Sequence, residues 1–296
     1  MVSVQKKIIN GRTYYYLDYS YRESGKVKKN VKYLGDKIPS NIEKLKEEFF
    51  IEICKKRWYP YFDKIKKCYT AEQKTKPPSL KEKDMEQFAI RFTYNTNKIE
   101  GSTLTLRETA DLLERGITPS RRPVEDVQET EAHREIFYDM LEYGGNISLK
   151  VLLQWHKKLF QHTKPDIAGR IREHNVGISG SSFEPPTPIE LDNLLRNFFA
   201  WYRKNEAQLH PVHLAALVHL KFVTIHPFAD GNGRISRLLA NFVLKEHGCP
   251  MLIIDYAKRA GYYRSLERSQ ISGDETIFVT WFFRRYLNEY RKYVSC

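Results

Sequence analysis

The chain has 296 residues, 41% of them hydrophobic and 29% charged, with a formal net charge of +13, a globular composition of a length for one large domain with a small extra module or for two modest ones. No run reaches the roughly 18 apolar residues of a membrane helix, and the start lacks an apolar signal-peptide core, which points to the cytoplasm. The four cysteines are scattered with no CxxC pair, arguing against a zinc site and a disulfide framework, while the positive charge suits acidic partners such as nucleic acid, phosphates or an acidic protein face.

Residues 1–39 are rich in Tyr, Val and Ile. Asn10-Gly11 is a strong hairpin signal and Ser24-Gly25 marks a second turn, so the stretch reads as three short antiparallel strands ending near Pro39. The simpler role for such a module is a small sheet covering one end of the main domain, or a dimer contact. The sharper one is a nucleic-acid face, because Lys26, Lys28, Lys29 and Lys32 interleave with Tyr33 and the run Tyr14 to Tyr16. The first role is favoured, since alternating lysine and apolar residues is also the pattern of a solvated strand.

From Ser40 the periodicity turns helical. Residues 40–83 read as a helical connector closing on a polar, proline-bearing break, "KTKPPSLKEK". Residues 84–296 form the main domain, a series of segments with apolar residues near 3.6 spacing that end on Gly, Pro or polar residues. Asp84, Thr105 and Ser148 are the candidate N-caps. "REHNVGISGSSFEPPTP" interrupts the helices with a short β-like "NVGIS" and reads as an extended flap. The fold class is therefore mainly α, with a short β-hairpin flap and a small N-terminal antiparallel β module.

The stretch with the most chemistry is "HPFADGNGRISR", His226 to Arg237, which lies between two apolar helical segments. A helix that starts at its Gly-Asn-Gly turn presents unpaired N–H groups and a partial positive charge, and glycines let a ligand approach the backbone. The turn is a ready anion cradle suited to phosphate. Arg234 and Arg237 stand one turn apart and can both face that anion with guanidinium forks. Asp230 offers a carboxylate of the kind that holds Mg²⁺ between phosphates. His226 can serve as a general base near neutral pH, and Phe228 is placed to plug into the core. A base, a metal ligand, an anion hole and two cationic clamps call for phosphoryl chemistry on a Mg-nucleotide.

The same twelve residues resemble the signature of the Fic family, His-Pro-Phe-Ala-Asp-Gly-Asn-Gly-Arg-x-x-Arg, at every fixed position. The resemblance implies a Fic-type helical domain that transfers the AMP part of ATP to a Ser, Thr or Tyr hydroxyl of a target protein and of itself. On that basis His226 deprotonates the hydroxyl and Asp230 binds Mg²⁺. Gly231, Asn232, Gly233 and Arg234 hold the α- and β-phosphates, and Arg237 grips the γ-phosphate. "TNKIEG" resembles the family's inhibitory motif, with Thr96, Glu100 and Gly101 at its fixed positions, which implies auto-inhibition from the N-terminal part of the same chain. Val176, Gly177, Ile178 and Ser179 resemble the flap on which a target segment docks. "YYRSLERSQISGD" resembles the nucleoside wall and puts Tyr262, Tyr263 and Gln270 near adenine and ribose, although Gln270 stands where Asn is expected. The resemblance covers about residues 84–296 and further implies a homodimer. Two alternatives stand beside it: removal of AMP from modified proteins by the same site, with Glu100 orienting a water, and a nucleic-acid-binding regulator led by the N-terminal module.

Overall fold

The computed structural model describes residues 2–23 and 25–295. Three antiparallel strands open the chain in the order β1 (Ser3–Ile9), β2 (Arg12–Glu23) and β3 (Lys26–Gly35). Asn10 and Gly11 take φ of 49° and 74°, the paired positive φ values of a hairpin turn that matches strand twist. Ser24, the first residue of the second expected turn, lies outside the described residues. Leu17 and Tyr19 on β2 are buried, and Tyr19 meets Phe50 edge-on with ring centroids 5.6 Å apart.

Among the described residues twelve α-helices follow: α1 (Ile42–Arg57), α2 (Tyr59–Thr75), α3 (Pro78–Ile99), α4 (Leu106–Arg115), α5 (Val124–Glu142), α6 (Leu149–Phe160), α7 (Pro188–Asn205), α8 (Pro211–Ile225), α9 (Asn232–Glu246), α10 (Arg259–Ser272), α11 (Glu275–Glu289) and α12 (Arg291–Val294). Helix α3 starts six residues before the expected cap Asp84, because Pro78 at its first position has φ already set for a helix. Asp84 is therefore a mid-helix residue, bonded to the Lys76 ammonium at 2.6 Å, and the charged "SLKEK" is a solvated helix face. Thr105 caps α4 through a full capping box with Glu108, and Gly116 ends that helix in the left-handed conformation. Ser148 precedes α6 with extended backbone but makes no side-chain cap bond.

Helices α8 and α9 are buried nearly all round, twelve of fifteen residues in each, which makes them the central pair. One apolar core runs from Val2 and Leu17 in the sheet through Phe50 and Phe62 to Phe222, Phe242 and Phe278. It crosses the sequence-based boundaries at residues 39 and 83 without a break. Residues 175–179, the β-like part of the flap, form no strand, and the only ladder among the described residues is the N-terminal sheet. A lone extended segment has no partner for its backbone groups, so it makes no strand. Among the described residues no helix is long and apolar enough to cross a membrane.

The shared core makes a specific demand. Leu17→Ala, in a side chain with 0% exposure, should cost about 2–5 kcal/mol and lower one cooperative thermal transition of the whole chain. Calorimetry that shows the sheet melting separately while the helical body is unaffected would contradict a continuous core.

Candidate active site

The loop between α8 and α9 is fixed from both ends. Helix α8 stops at His226, which turns left-handed with φ 51° and ψ 55°. The Phe228 ring is fully buried and stacks on His156, centroids 3.9 Å apart. The Phe228 N–H donates to Asn232 Oδ1 at 2.9 Å, and Asn232 Nδ2 donates back to the Phe228 carbonyl at 2.8 Å. The Asn232 side chain thus ties the loop. His156 accepts from the Gly169 N–H at Nδ1 and donates from Nε2 to the Asp230 carbonyl.

Gly231, with φ 81°, precedes the first turn of α9. A Cβ there would lie 2.6 Å from the Phe160 ring. The first helical bond runs from Ile235 N–H to Gly231 O, so the N–H groups of Asn232, Gly233 and Arg234 precede the ladder and are free to bind an anion.

A cavity of about 540 Å³ opens on this helix end. It is lined by His226, Gly233 and Arg237, by Glu100 and Gly101 from the end of α3, by Tyr262, Tyr263 and Gln270 from α10, and by Ile178 and Ser179 from the flap. Ten residues singled out in the sequence are brought together here. Thr96, Val176, Gly177, Asp230, Gly231, Asn232 and Arg234 do not line it.

A carboxylate already sits in the cradle. Glu100 Oε1 is 2.5 Å from Arg237 Nη2 and so close above Gly233 that a Cβ there would lie 2.3 Å from it. Arg237 is buried, and it also donates to the Thr96 carbonyl at 3.2 Å and to the Tyr262 hydroxyl at 3.3 Å. Gly101, at φ 103°, lets the chain turn away directly after Glu100. Tyr263 Oη donates to the Ile99 carbonyl at 2.8 Å, and Gln270 Nε2 donates to Thr224 Oγ1 at 3.3 Å.

Arg234 and Arg237, one turn apart on α9, have different acid partners. Arg234 is buried, pairs with Glu129, reaches Asp230 at 3.4 Å and lies over the Phe160 ring. Asp230 also takes the Lys164 ammonium at 2.5 Å. Burial pushes the Asp230 carboxyl up, but Arg234 and Lys164 more than offset it and hold it below the usual range. A charged carboxylate is a hard oxygen donor that fits Mg²⁺. No group of three or more His, Cys, Asp or Glu among the described residues forms a protein cage for a metal. That combination fits a cation carried mainly by phosphates and water, with one protein carboxylate.

His226 Nδ1 lies 3.1 Å from the Val223 carbonyl. A carbonyl only accepts, so Nδ1 carries the hydrogen and Nε2 is the basic atom. Burial pulls the imidazole below its ordinary value, which keeps it neutral, the form a general base requires.

Sequence reasoning missed several contributors. Arg172 donates to the carbonyls of His226, His174 and Pro186 at 2.8, 2.9 and 2.5 Å. Glu267 holds the far side of the flap, accepting from Ser181 Oγ at 3.1 Å and the Ser182 N–H at 2.7 Å. Glu129, Lys164 and His156 support Arg234 and Asp230. Arg172 and Glu267 act partly or wholly on backbone groups, which leave no side-chain pattern in a sequence.

Residues 146–244 match the family profile described as "Fic/DOC family". The Protein adenylyltransferase Fic of Aedes aegypti is 34% identical over 206 residues, covering 68% of this chain and 40% of its own length. That of Nematostella vectensis is 33% identical over 200 residues, covering 66% of this chain and 46% of its own length. The chain thus spans about two fifths of the length of the curated relatives it matches. A Fic-domain-containing signalling protein of Bacteroides thetaiotaomicron superposes with a TM-score of 0.69 at 26% identity, over 78% of this chain and 95% of its own. Fic-1 of C. elegans superposes with a TM-score of 0.68 at 25% identity, over 86% of this chain and 76% of its own.

The buried imidazoles set a pH dependence. His226 lies below its ordinary value, and burial takes His156 from 6.5 down to about 4. Such groups favour the fold in neutral form; their stability is complete above 6.5 and is lost as pH falls toward 4. For His156 the loss is on the order of 3 kcal/mol. Denaturant midpoints should therefore fall between pH 6.5 and 4, and an NMR titration should find the His226 ring still neutral at pH 6.5. A ring half-charged at or above pH 6.5 would contradict the tautomer and burial argument.

Proposed function

We propose that this chain, which belongs to the Fic/DOC family through residues 146–244, is an auto-inhibited protein adenylyltransferase. It transfers AMP from Mg-ATP to a Ser, Thr or Tyr hydroxyl of a target protein and of itself. The observation that carries the reading is the single cavity in which a neutral imidazole, an open helix N-terminus, a buried guanidinium and a tyrosine-bearing wall converge.

In this reading the target hydroxyl oxygen attacks the α-phosphorus, and its proton passes to His226 Nε2. The bond between the α-phosphorus and the oxygen bridging to the β-phosphate breaks, and pyrophosphate leaves. The N–H groups of Asn232, Gly233 and Arg234 hold the developing phosphate charge, where preorganised donors act most strongly. Mg²⁺ held through Asp230 supplies charge neutralisation to the phosphates when bound. Tyr263 and Gln270 face the nucleoside, and the flap presents the target segment.

Inhibition follows from where the Glu100 carboxylate lies. A γ-phosphate bound to Arg237 needs the position the carboxylate holds, and two anions above Gly233 repel each other. ATP that enters with Glu100 in place is displaced from in-line geometry, a misplacement that costs about 10²-fold in rate. His226 and Glu100 lining one cavity also favours a second direction, hydrolysis of an AMP–protein bond with Glu100 orienting the water.

Intact mass after incubation with Mg-ATP decides between these. Wild type should gain little AMP, Glu100→Gly about 10²-fold more, and Glu100→Gly with His226→Ala none. An unmoved Glu100→Gly, on itself and on a genuine target, refutes the inhibition. Loss of AMP from a pre-labelled protein by wild type alone would establish the reverse reaction. Stability should move the other way. Glu100→Gly leaves the Arg237 guanidinium, whose side chain is 2% exposed, without its carboxylate. That costs about 1–3 kcal/mol, less than for a fully buried pair. Mg-ATP should raise the melting temperature of this variant more than that of wild type, and equal shifts would disprove competition for Arg237.

A further inference from the structure

The N-terminal sheet has a second face, on which Val27, Val31 and Tyr33 are exposed. Strand β2 turns Leu17, Tyr19 and Tyr21 toward the core, and strand alternation puts Tyr14, Tyr16 and Arg22 on the other side. The register sets Tyr16 opposite Tyr33, Lys7 opposite Tyr14, Arg12 opposite Ile9 and Val27 opposite Arg22. The three tyrosines form one group, with Tyr33 centred 5.2 Å from Tyr16 and 6.2 Å from Tyr14. Tyr33 is 57% exposed and Val27 66%. The Lys7 ammonium lies 4.8 Å from the Tyr16 ring centroid.

Charge selects what such a face receives. Residues 3–35 carry eight Lys and Arg against two acids, Asp18 and Glu23. Both acids are engaged, by Lys29 and by Lys28. Among the described residues no ion pair holds Lys7, Arg12 or Arg22. One exposed and two half-buried rings on a face that also carries cations without ion pairs provide base-stacking surfaces and phosphate partners together. A duplex keeps its base faces stacked inside, whereas a single strand offers them.

We propose that this face binds single-stranded nucleic acid, stacking about two or three bases on Tyr14, Tyr16 and Tyr33 and pairing its phosphates with Lys7, Arg12 and Arg22. The site is separate from the cavity at α9 and does not rest on the reaction proposed there.

Fluorescence anisotropy with the full-length chain tests it, using labelled dT15, U15 and a 15-base-pair DNA duplex. Both single strands should bind more tightly than the duplex. Their affinity should fall about 20- to 50-fold between 50 and 200 mM salt, the slope for three or four neutralised phosphates. Tyr16→Ala and Tyr33→Ala should each weaken binding about 5- to 150-fold, while Tyr16→Phe, which keeps the ring, retains it. A preference between dT15 and U15 would separate DNA from RNA as the source. No single-strand binding, a duplex bound as tightly, or binding unchanged in the double Tyr16→Ala, Tyr33→Ala variant would overturn the proposal. So would self-association in sedimentation that this double variant abolishes, because the face would then belong to a second copy.

Discussion

Two hydrogen bonds exchanged between the Phe228 backbone and the Asn232 amide hold the geometry of the site. Each contributes about 1 kcal/mol net, but leaving a buried amide unsatisfied costs about 1–3 kcal/mol, so the loop has one low-energy arrangement. Upstream lies His226; downstream lie the open N–H groups of α9. A change of a few tenths of an ångström in the loop would move both together. The Phe228 ring stacked on His156 closes the loop from beneath, and the His156 bond to the Asp230 carbonyl fixes its last turn before Gly231.

Buried positive charge is the second constraint. Arg172, Arg234 and Arg237 are each 3–4% exposed. A guanidinium in that setting is tolerated only with hydrogen-bonded partners. Arg172 takes carbonyls, Arg234 takes Glu129 and Asp230, and Arg237 takes Glu100, Tyr262 and the Thr96 carbonyl. A guanidinium lining a cavity needs a negative partner close by as much as one in the core does. The carboxylate at the end of α3 is the acid partner of Arg237, so this contact in the cavity wall is also one that holds the end of α3 against α9. Gly233 belongs to the same arrangement, because any side chain there would occupy the space of the Glu100 carboxylate.

Much of this was legible before the fold was known, for physical reasons. Asn10-Gly11 and the Thr105 capping box are local signals whose geometry is complete within a few residues, and both form as read. The twelve-residue junction was legible because its elements lie on consecutive residues, and Glu100 through its resemblance to the inhibitory motif. Asp84 was misplaced as a cap because a proline-bearing stretch that looks like a break also starts a helix well. The acid partners of Arg234 and Arg237 could not be read: one-turn spacing leaves both able to face an anion, and only the positions of Glu129 and Glu100 in space give each its own carboxylate. Arg172 was invisible for a related reason, since all of its partners are carbonyls.

That last residue has a mechanical consequence. Arg172 grips His174 and Pro186, the two stems of the flap, together with the carbonyl of His226, and its own N–H bonds the Pro227 carbonyl. Glu267 fixes Ser181 and Ser182 to α10. The stems and the imidazole therefore share one rigid mount, and compliance is left to the short spans 175–180 and 183–185 between the anchors. A segment pressed onto the first of these spans cannot pivot the whole arm; it deflects a beam clamped at both ends, and one of the clamps is bolted to the histidine.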